Sequence, residues 1–343
     1  MFTPRSPIRR AARPLRRGLW QVEIRRAARV ARVRGAELSV FHDFAESPAG
    51  GANQTLRAVL REISRRGVRI EQSAASNSTR AVLFNSFNFD AGRLEWFARR
   101  LPDDCRLVHR VGAVTSLYRG YDDGTDARVA DLNRRFADAT IAISRATIDM
   151  YQSIGIELIS PRVIYNGVDP DIFNPRGRVG FDLARKTRVI SVSWSDNPLK
   201  GGPVLRWLDQ VLDPDVYELT FVGNTNERFE RVRHIPPLPS RELAELLRQH
   251  DVFFTATQND AYSNALVEAL SCGLPAVYLD SGGSREAVKE AGFGFRERAE
   301  IPRLLGRLRN EYEERQAAIS LPSLAEVADA YIGALGLEDV VRG

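Results

Sequence analysis

Apolar runs of strand length alternate with helical patterns along most of the chain. An apolar, β-prone run at Leu38–Phe44 leads into a Pro/Gly-rich loop at Ser47–Gln54, and a helical pattern follows that Gly67 is expected to end. The apolar positions of that pattern have the i, i+3, i+4, i+7 spacing of one helix face: Leu56, Val59, Leu60 and Ile63. Further strands are predicted at Val68–Gln72, Ala81–Asn85, Arg106–Val111 and Ala139–Ser144, and helices at Phe89–Leu101, Ala127–Phe136 and Arg145–Ile154.

The composition of the chain changes at Val163–Pro175. This segment is rich in Asn, Gly, Asp and Pro, which is typical of a connection between domains. The alternation then restarts. Strands are predicted at Arg188–Trp194, Tyr217–Gly223, Val252–Ala256 and Pro275–Leu279. Helices are predicted at Gly202–Leu212, Ser240–Gln249, Ser263–Cys272, Ser284–Ala291, Ile301–Ala317 and Leu324–Leu335. Alternation of this kind favours parallel sheets that are covered on both faces.

Two successive α/β units joined by one connection predict two Rossmann-like domains that face a central cleft. A ligand is expected in that cleft, between the carboxyl ends of the two sheets. We place the first domain at 36–165 and the second at 166–320. A basic extension, 1–35, precedes them, and a helical segment, 321–343, follows and could cross back to the first domain.

Composition narrows the class of protein. The chain has 343 residues, of which 43% are hydrophobic and 27% charged, as in ordinary globular proteins. Its two cysteines, Cys105 and Cys272, exclude a disulfide framework and a cysteine-built zinc site. The four histidines show no metalloprotease spacing, so we predict no metal site, and no apolar run approaches the ~18 residues that span a bilayer.

The net charge of +5 hides an asymmetry, because residues 1–34 hold eleven arginines and one acid while the rest of the chain carries −5. Within this extension, Trp20, Ile24, Ala27 and Ala31 form a stripe with arginines largely off it, which suits a helix lying on an anionic membrane surface. The alternatives are a disordered basic extension and a start codon assigned too far upstream. A nucleic-acid partner is disfavoured, because the acidic remainder shows no reader motif.

Two nucleotide-binding classes are disfavoured by their missing motifs. The loop after the first predicted strand reads PAGGANQ and contains no GxGxxG fingerprint, and no acid stands about 20 residues on to hold a ribose. The chain also lacks the GxxxxGK[ST] sequence of a P-loop. A nicotinamide-dependent dehydrogenase and a P-loop nucleotidase are therefore disfavoured.

The most informative segment is DAYSNALVEALSCGLP, at Asp260–Pro275. It follows a buried-type strand and a short polar turn, and its apolar positions define one face of a helix that ends near Gly273. A helix start after a strand offers free backbone N–H groups to an anion. Carboxylates beside it, here Asp260 and Glu268, are suited to accepting hydrogen bonds from sugar hydroxyls.

This segment resembles the acidic-x7-Glu signature of glycosyltransferase family 4, whose members are retaining enzymes of the GT-B fold. The resemblance extends over residues 38–335 and includes several further elements in order. These are AGGAN at Ala49–Asn53, VHRVG at Val108–Gly112, VIYNGVDPDIF at Val163–Phe173, NPLKGG at Asn197–Gly202 and the GG pair at Gly282 and Gly283. It implies an α/β, two-domain GT-B fold and transfer of a sugar from a nucleotide-diphosphate donor to a hydroxyl.

The resemblance also implies roles for residues of the second domain. Lys200 would neutralise the donor's diphosphate as a point charge. Glu268 would accept hydrogen bonds from the ribose, and Asp260, with the backbone N–H groups near Ser263 and Asn264, would hold the sugar and the β-phosphate. Each acid or base also has a plain structural interpretation: Glu268 as a solvated surface acid, Lys200 as a surface charge and Asp260 as the cap of the helix.

In the first domain, His109 would lie near the donor sugar, although a histidine in a strand is also commonly a core residue. Gly50 and Gly51 would let the backbone approach the reaction centre. Two positions depart from the family pattern. Asp260 is one methylene shorter than the usual Glu, and Ser195 stands where an arginine is common, about five residues before the lysine.

The function that the resemblance implies is that of a retaining, metal-independent hexosyltransferase in bacterial glycan or polysaccharide biosynthesis. Its partners would be a nucleotide-sugar donor and a glycan or lipid-linked acceptor, with no cofactor, in the cytoplasm or at the cytoplasmic face of the membrane. The alternatives are a nucleotide-sugar epimerase or hydrolase of GT-B fold and a non-catalytic nucleotide-sugar-binding protein.

Overall fold

A computed structural model describes residues 35–44 and 51–342. The predicted membrane-surface stripe within residues 1–34 and the predicted site residue Gly50 lie outside the described residues. In the described part of the chain, no helix is both long enough and apolar enough to cross a membrane.

The first lobe is built on six strands: β1 (Leu38–Phe41), β2 (Ile70–Gln72), β3 (Ala81–Asn85), β4 (Arg106–Val111), β5 (Ala139–Ala142) and β6 (Pro161–Val163). They form one sheet in the order β2-β1-β3-β4-β5-β6, and each of the described pairings is parallel. Five helices accompany it: α1 (Gly51–Arg65), α2 (Ala91–Ala98), α3 (Thr115–Arg119), α4 (Thr125–Phe136) and α5 (Arg145–Ser153). Every residue of β1 and β3 is buried, as expected of parallel strands covered on both faces.

The second lobe has strands β7 (Thr187–Ser193), β8 (Tyr217–Gly223), β9 (Arg233–Ile235), β10 (Val252–Thr255), β11 (Ala276–Leu279) and β12 (Gly292–Phe295). Their order, β12-β11-β10-β7-β8-β9, is the Rossmann order 3-2-1-4-5-6 when counted within the lobe. Its helices are α6 (Gly202–Val211), α7 (Ser240–Arg248), α8 (Asn264–Ser271), α9 (Ser284–Val288), α10 (Ile301–Asn310) and α11 (Tyr312–Ala317). In such sheets, ligands bind at the carboxyl ends of the two strands where the order reverses, here β7 and β10.

The chain ends on the first lobe. Helix α12 (Leu324–Leu335) packs against α1 and the sheet of that lobe, and α13 (Glu338–Arg342) follows it. Ser323 begins α12 with a capping box, in which its side chain and that of Glu326 bond each other's backbone N–H groups. The two lobes are therefore joined by two passages of the chain, one through residues 164–186 and one through residues 318–323.

The predicted α/β architecture of two Rossmann-like units is confirmed, and several elements differ in detail. Gly51–Gln54 belongs to helix α1, not to the loop predicted there. The segment predicted as one helix at Ile301–Ala317 is two, because Glu311 has a non-helical backbone, with φ −100° and ψ 21°. Four short elements were not predicted: α3, β6, β9 and β12. Three of these are strands of three or four residues at sheet edges, too short for a clear apolar alternation.

Candidate active site

An ion pair lies at the reversal point of the second sheet. Lys200, on the loop after β7, places its Nζ 3.1 Å from Oδ2 of Asp260, on the loop after β10. Their side chains are 18% and 20% exposed, so the pair is accessible to solvent. Two residue types predicted to hold the donor, one cationic and one acidic, are therefore brought together.

The Lys200 loop is held by local turns. Asn197 accepts a hydrogen bond from the Leu199 N–H and so caps a 3₁₀ turn at Pro198–Lys200. Gly201 follows with φ 91°, where a Cβ would lie 2.7 Å from that of Ala256 at the end of β10. Only glycine permits this close approach of the two loops.

The Asp260 loop is held from behind by the glycine pair that the sequence singled out. The Gly283 N–H donates to the Asp260 carbonyl at 2.9 Å. A Cβ at Gly283 would lie 1.8 Å from the carbonyl oxygen of Ala261, and one at Gly282 would lie 2.1 Å from that of Asp260. The backbone around Asp260 thus depends on two positions without a side chain.

Helix α8 begins directly after this loop. Its N-cap is Ser263, whose side chain accepts from the Leu266 N–H, while Asp260 Oδ1 accepts from the Tyr262 N–H at 3.3 Å. Asp260 is therefore not the cap, and its Oδ2 is left to Lys200. The start of α8 and its partial positive charge lie beside the ion pair, which is the arrangement of an anion site.

Glu268 is a buried acid, so the interpretation as a solvated surface residue is wrong. It is 8% exposed and lies one turn along α8 from Asn264, on the same helix face. Its carboxyl group makes no hydrogen bond to another described residue. Burial raises the pKa of Glu268 to about 8. Burying a carboxyl group without a hydrogen bond costs folding free energy, and a ligand that donates hydrogen bonds to it would offset that cost.

Asn264 joins the two lobes. Its Oδ1 accepts from Thr55 Oγ1 of α1 and from Asn166 Nδ2 of the connection, each at 3.1 Å. Asn166 accepts in turn from Arg110 at 2.7 Å, and Arg110 also donates to Tyr331 of α12 at 2.8 Å. The first turn of α8 is therefore fixed to the first lobe through a hydrogen-bonded chain.

His109 lies in the core of the first lobe and not in the cleft. It is fully buried and stacks on Phe84 with ring centroids 4.3 Å apart. Its Nε2 donates to the Ser86 carbonyl at 2.9 Å, and its Nδ1 accepts from Asn133 Nδ2 at 3.1 Å. Desolvation lowers its pKa to about 4, so the ring stays neutral. The prediction that His109 acts in catalysis is therefore wrong, because both nitrogens are used and neither reaches the cleft.

Helix α3 reaches across the cleft to both loops of the second lobe. Asn197 Nδ2 donates to the Arg119 carbonyl at 2.9 Å, and Asn259 Nδ2 donates to the Leu117 carbonyl at 3.2 Å. The ring of Tyr118 lies 5.0 Å from Lys200 Nζ. This helix was not predicted, because its five residues are too few to show helical periodicity.

The predicted site residues that the structure describes divide into three sets. The structure gathers five of them around the start of α8: Lys200, Asp260, Ser263, Asn264 and Glu268. Gly51 is the first residue of α1, and Asn264 meets that helix at Thr55. His109 is excluded by its burial.

Known proteins resemble this chain in sequence. Residues 226–311 match the family model described as glycosyl transferases group 1. The resemblance to glycosyltransferase family 4 is confirmed. The D-inositol 3-phosphate glycosyltransferase of Streptosporangium roseum is 24% identical over 300 residues, which cover 71% of this chain and 68% of that protein. The GDP-mannose-dependent alpha-mannosyltransferase of Mycobacterium tuberculosis is 27% identical over 174 residues, 45% of this chain and 42% of its own.

Solved structures share the fold at low sequence identity. The HepE protein of Anabaena, in a complex with UDP and glucose, aligns with a TM-score of 0.63 over 88% of this chain and 99% of its own, at 16% identity. The sucrose-phosphate synthase of Thermosynechococcus elongatus aligns with a TM-score of 0.62 over 90% and 96%, at 14% identity. The two-lobed GT-B architecture is therefore confirmed.

Proposed function

We propose that the protein is a retaining glycosyltransferase that moves a sugar from a nucleoside-diphosphate sugar to a hydroxyl acceptor. The observation that carries this proposal is the grouping of the Lys200–Asp260 pair and the buried Glu268 at the first turns of α8. A cation, a helix start and an acid that has no hydrogen-bonded partner among the described residues are together suited to a diphosphate with a ribose beside it. The family match supports the same chemistry.

In the proposed reaction, the bond between the anomeric carbon and the β-phosphate oxygen breaks, and the acceptor oxygen bonds to the same carbon on the same face of the sugar. The acceptor's proton passes to the departing diphosphate, so no enzyme nucleophile is needed. Lys200 and the start of α8 would stabilise the negative charge on that diphosphate. Asp260 would exchange its bond with Lys200 for bonds with the sugar, and Glu268 would accept from the ribose hydroxyls.

The donor and acceptor classes are proposed from the relatives. Those proteins are named for D-inositol 3-phosphate and for GDP-mannose, and a structural neighbour holds UDP. We propose a UDP- or GDP-linked hexose as donor and a glycan or lipid-linked hydroxyl as acceptor in bacterial glycan synthesis. We further propose that Lys200 and α8 neutralise the leaving group without a divalent metal, so transfer should persist in EDTA.

The test is release of nucleoside diphosphate from a panel of UDP- and GDP-sugars, with and without candidate acceptors. Release that requires the acceptor supports a transferase, and NMR of the product then shows whether the anomeric configuration is kept. Release without acceptor favours the epimerase or hydrolase, and binding without release favours a non-catalytic nucleotide-sugar-binding protein. Glu268→Ala should abolish most release, and wild-type turnover in that variant contradicts the assignment.

The arginine-rich residues 1–34, with a net charge of +10, are proposed to bring the enzyme to an anionic, lipid-linked acceptor at the cytoplasmic face of the membrane. Sedimentation with phosphatidylglycerol vesicles tests this. The full chain should bind and a chain lacking 1–34 should not. Equal sedimentation of the two would contradict a membrane role for this segment.

A further inference from the structure

The described site is short of positive charge for the ligand proposed above. Lys200 is already balanced by Asp260, at 3.1 Å. A nucleoside-diphosphate sugar brings two negative charges on its phosphates, and a helix start contributes only about half a positive charge. The loop itself offers no second cation before Lys200, since residues 194–197 are Trp, Ser, Asp and Asn.

A second cation is present on the opposite lobe. Arg119 is the last residue of α3, and its side chain is 37% exposed. Its Nε donates to the hydroxyl of Tyr118 at 3.0 Å, and its Cζ lies 5.6 Å from the centre of the same ring. Lys200 Nζ lies 5.0 Å from that centre. One aromatic ring therefore holds a cation from each lobe.

The position of Arg119 is fixed by the loops that carry the ion pair. Asn197, three residues before Lys200, donates to the Arg119 carbonyl at 2.9 Å. Asn259, directly before Asp260, has φ 52° and donates to the Leu117 carbonyl at 3.2 Å. The α3 backbone is thus hydrogen-bonded to both loops that carry the ion pair. A displacement of either loop would therefore move Arg119.

We infer that Arg119 is a second cation of the diphosphate site, supplied across the cleft by the first lobe. This inference rests on the proposed function. The guanidinium would exchange its 3.2 Å contact with Asp123 for a phosphate oxygen, and Tyr118 would keep it beside Lys200. The site would then need no arginine at Ser195, because the missing charge comes from Arg119 instead.

The test measures binding of UDP and GDP, and of UMP and GMP, by isothermal titration calorimetry with the full chain. Arg119→Ala should weaken diphosphate binding about 10- to 100-fold, the loss of one charge-assisted hydrogen bond, and should weaken monophosphate binding by less. Arg119→Lys should retain part of the affinity. The double variant Arg119→Ala, Ser195→Arg should recover most of it, which a merely structural role would not allow.

Arg128→Ala is the matched control, because Arg128 is an exposed arginine on the next helix, α4, of the same lobe. It should bind like the wild type. Equal affinity of wild type and Arg119→Ala for UDP and GDP would overturn the inference and leave the proposed function standing. Parallel losses for di- and monophosphates without recovery by Ser195→Arg would also overturn it. Failure of the wild type to bind any of these nucleotides would overturn the proposed function, and the inference with it.

Discussion

Glu268 should make the free protein less stable as the pH rises, and Glu268→Gln should remove that dependence. The carboxyl group is buried and lacks a hydrogen bond within the described chain, and burial raises its pKa from the ordinary 4.5 to about 8. Between those two pH values, the folded protein keeps a proton that the unfolded chain has lost. The free energy of unfolding must therefore fall as the pH rises through this window.

The size of the effect follows from the width of the window. Each unit of pKa difference corresponds to about 1.4 kcal/mol, so the full penalty at pH 8 and above is at most about 5 kcal/mol. It vanishes below pH 4.5, where both states are protonated. Glutamine cannot ionise, so the variant and the wild type should differ least near pH 4.5 and most near pH 8.5. A gain in stability on replacing Glu268 is expected if this residue is kept for function at a cost in stability.

Urea unfolding of both proteins at pH 5, 7 and 8.5 measures the difference. The stability of Glu268→Gln relative to wild type should rise by several kcal/mol over this range, while its transfer activity is lost. Glu245→Gln, at an exposed position on α7, is the control and should show neither change. A difference in stability between Glu268→Gln and wild type that stays constant with pH would show that Glu268 does not keep its proton in the folded protein.

Ligand binding should lower the pKa of Glu268, which burial raises in the free protein. Hydrogen bonds from ribose hydroxyls favour the charged carboxylate, so binding of UDP or GDP near pH 7 should release close to one proton from Glu268. Calorimetric titrations in buffers of different ionisation enthalpy count that proton. Binding without proton release, or equal release by Glu268→Gln, would mean that Glu268 does not meet the ribose.

Three further substitutions test separate parts of the account. Lys200→Met should lower turnover about 10²- to 10³-fold, as for loss of a donor to a developing charge, and unchanged turnover would contradict the assigned role. His109→Gln should leave turnover nearly unchanged and lower the Tm, whereas lost turnover at an unchanged Tm would restore a catalytic role. Gly283→Ala should displace the Asp260 loop, because its Cβ would lie 1.8 Å from a carbonyl oxygen, and should lower transfer. Gly180→Ala, at a position with nothing within 4 Å of the added Cβ, is the control, and equal effects of the two would refute the displacement.

The site residues of the second lobe could be predicted from the sequence because most of them are close together along the chain. Asp260, Ser263 and Glu268 lie on one strand–turn–helix segment, so their spacing already places them at the start of one helix. The α/β alternation likewise predicted two parallel sheets, and the carboxyl ends of β7 and β10 then had to meet at one edge.

The first lobe was less readable because neighbouring residues of a parallel strand face opposite, equally buried sides. His109 faces Asn133 of α4, while Arg110, next to it, reaches Tyr331 of α12. Nothing in the motif VHRVG says which of the two residues is held in the core and which is connected to the site. That distinction depends on a helix more than 200 residues away along the chain, which a linear pattern does not show.

Contacts between the lobes were not predictable for the same reason. Thr55 and Asn264 are separated by 209 residues, and their hydrogen bond exists only once both lobes have folded and met. Helix α3 has only five residues, too few for a helical pattern in the sequence. Its place at the site follows from the hydrogen bonds that Asn197 and Asn259 donate to its carbonyl groups.

We expect a nucleoside diphosphate to lie at the carboxyl ends of β7 and β10, against the start of α8. Amide hydrogen exchange of the full chain, with and without UDP or GDP, shows where the nucleotide binds. We predict slower exchange in residues 194–202 and 257–268. Binding that leaves exchange in those residues unchanged, and instead slows it around the 450 Å³ cavity lined by Arg188 and Arg233 at the amino ends of β7 and β9, would show that the nucleotide binds elsewhere.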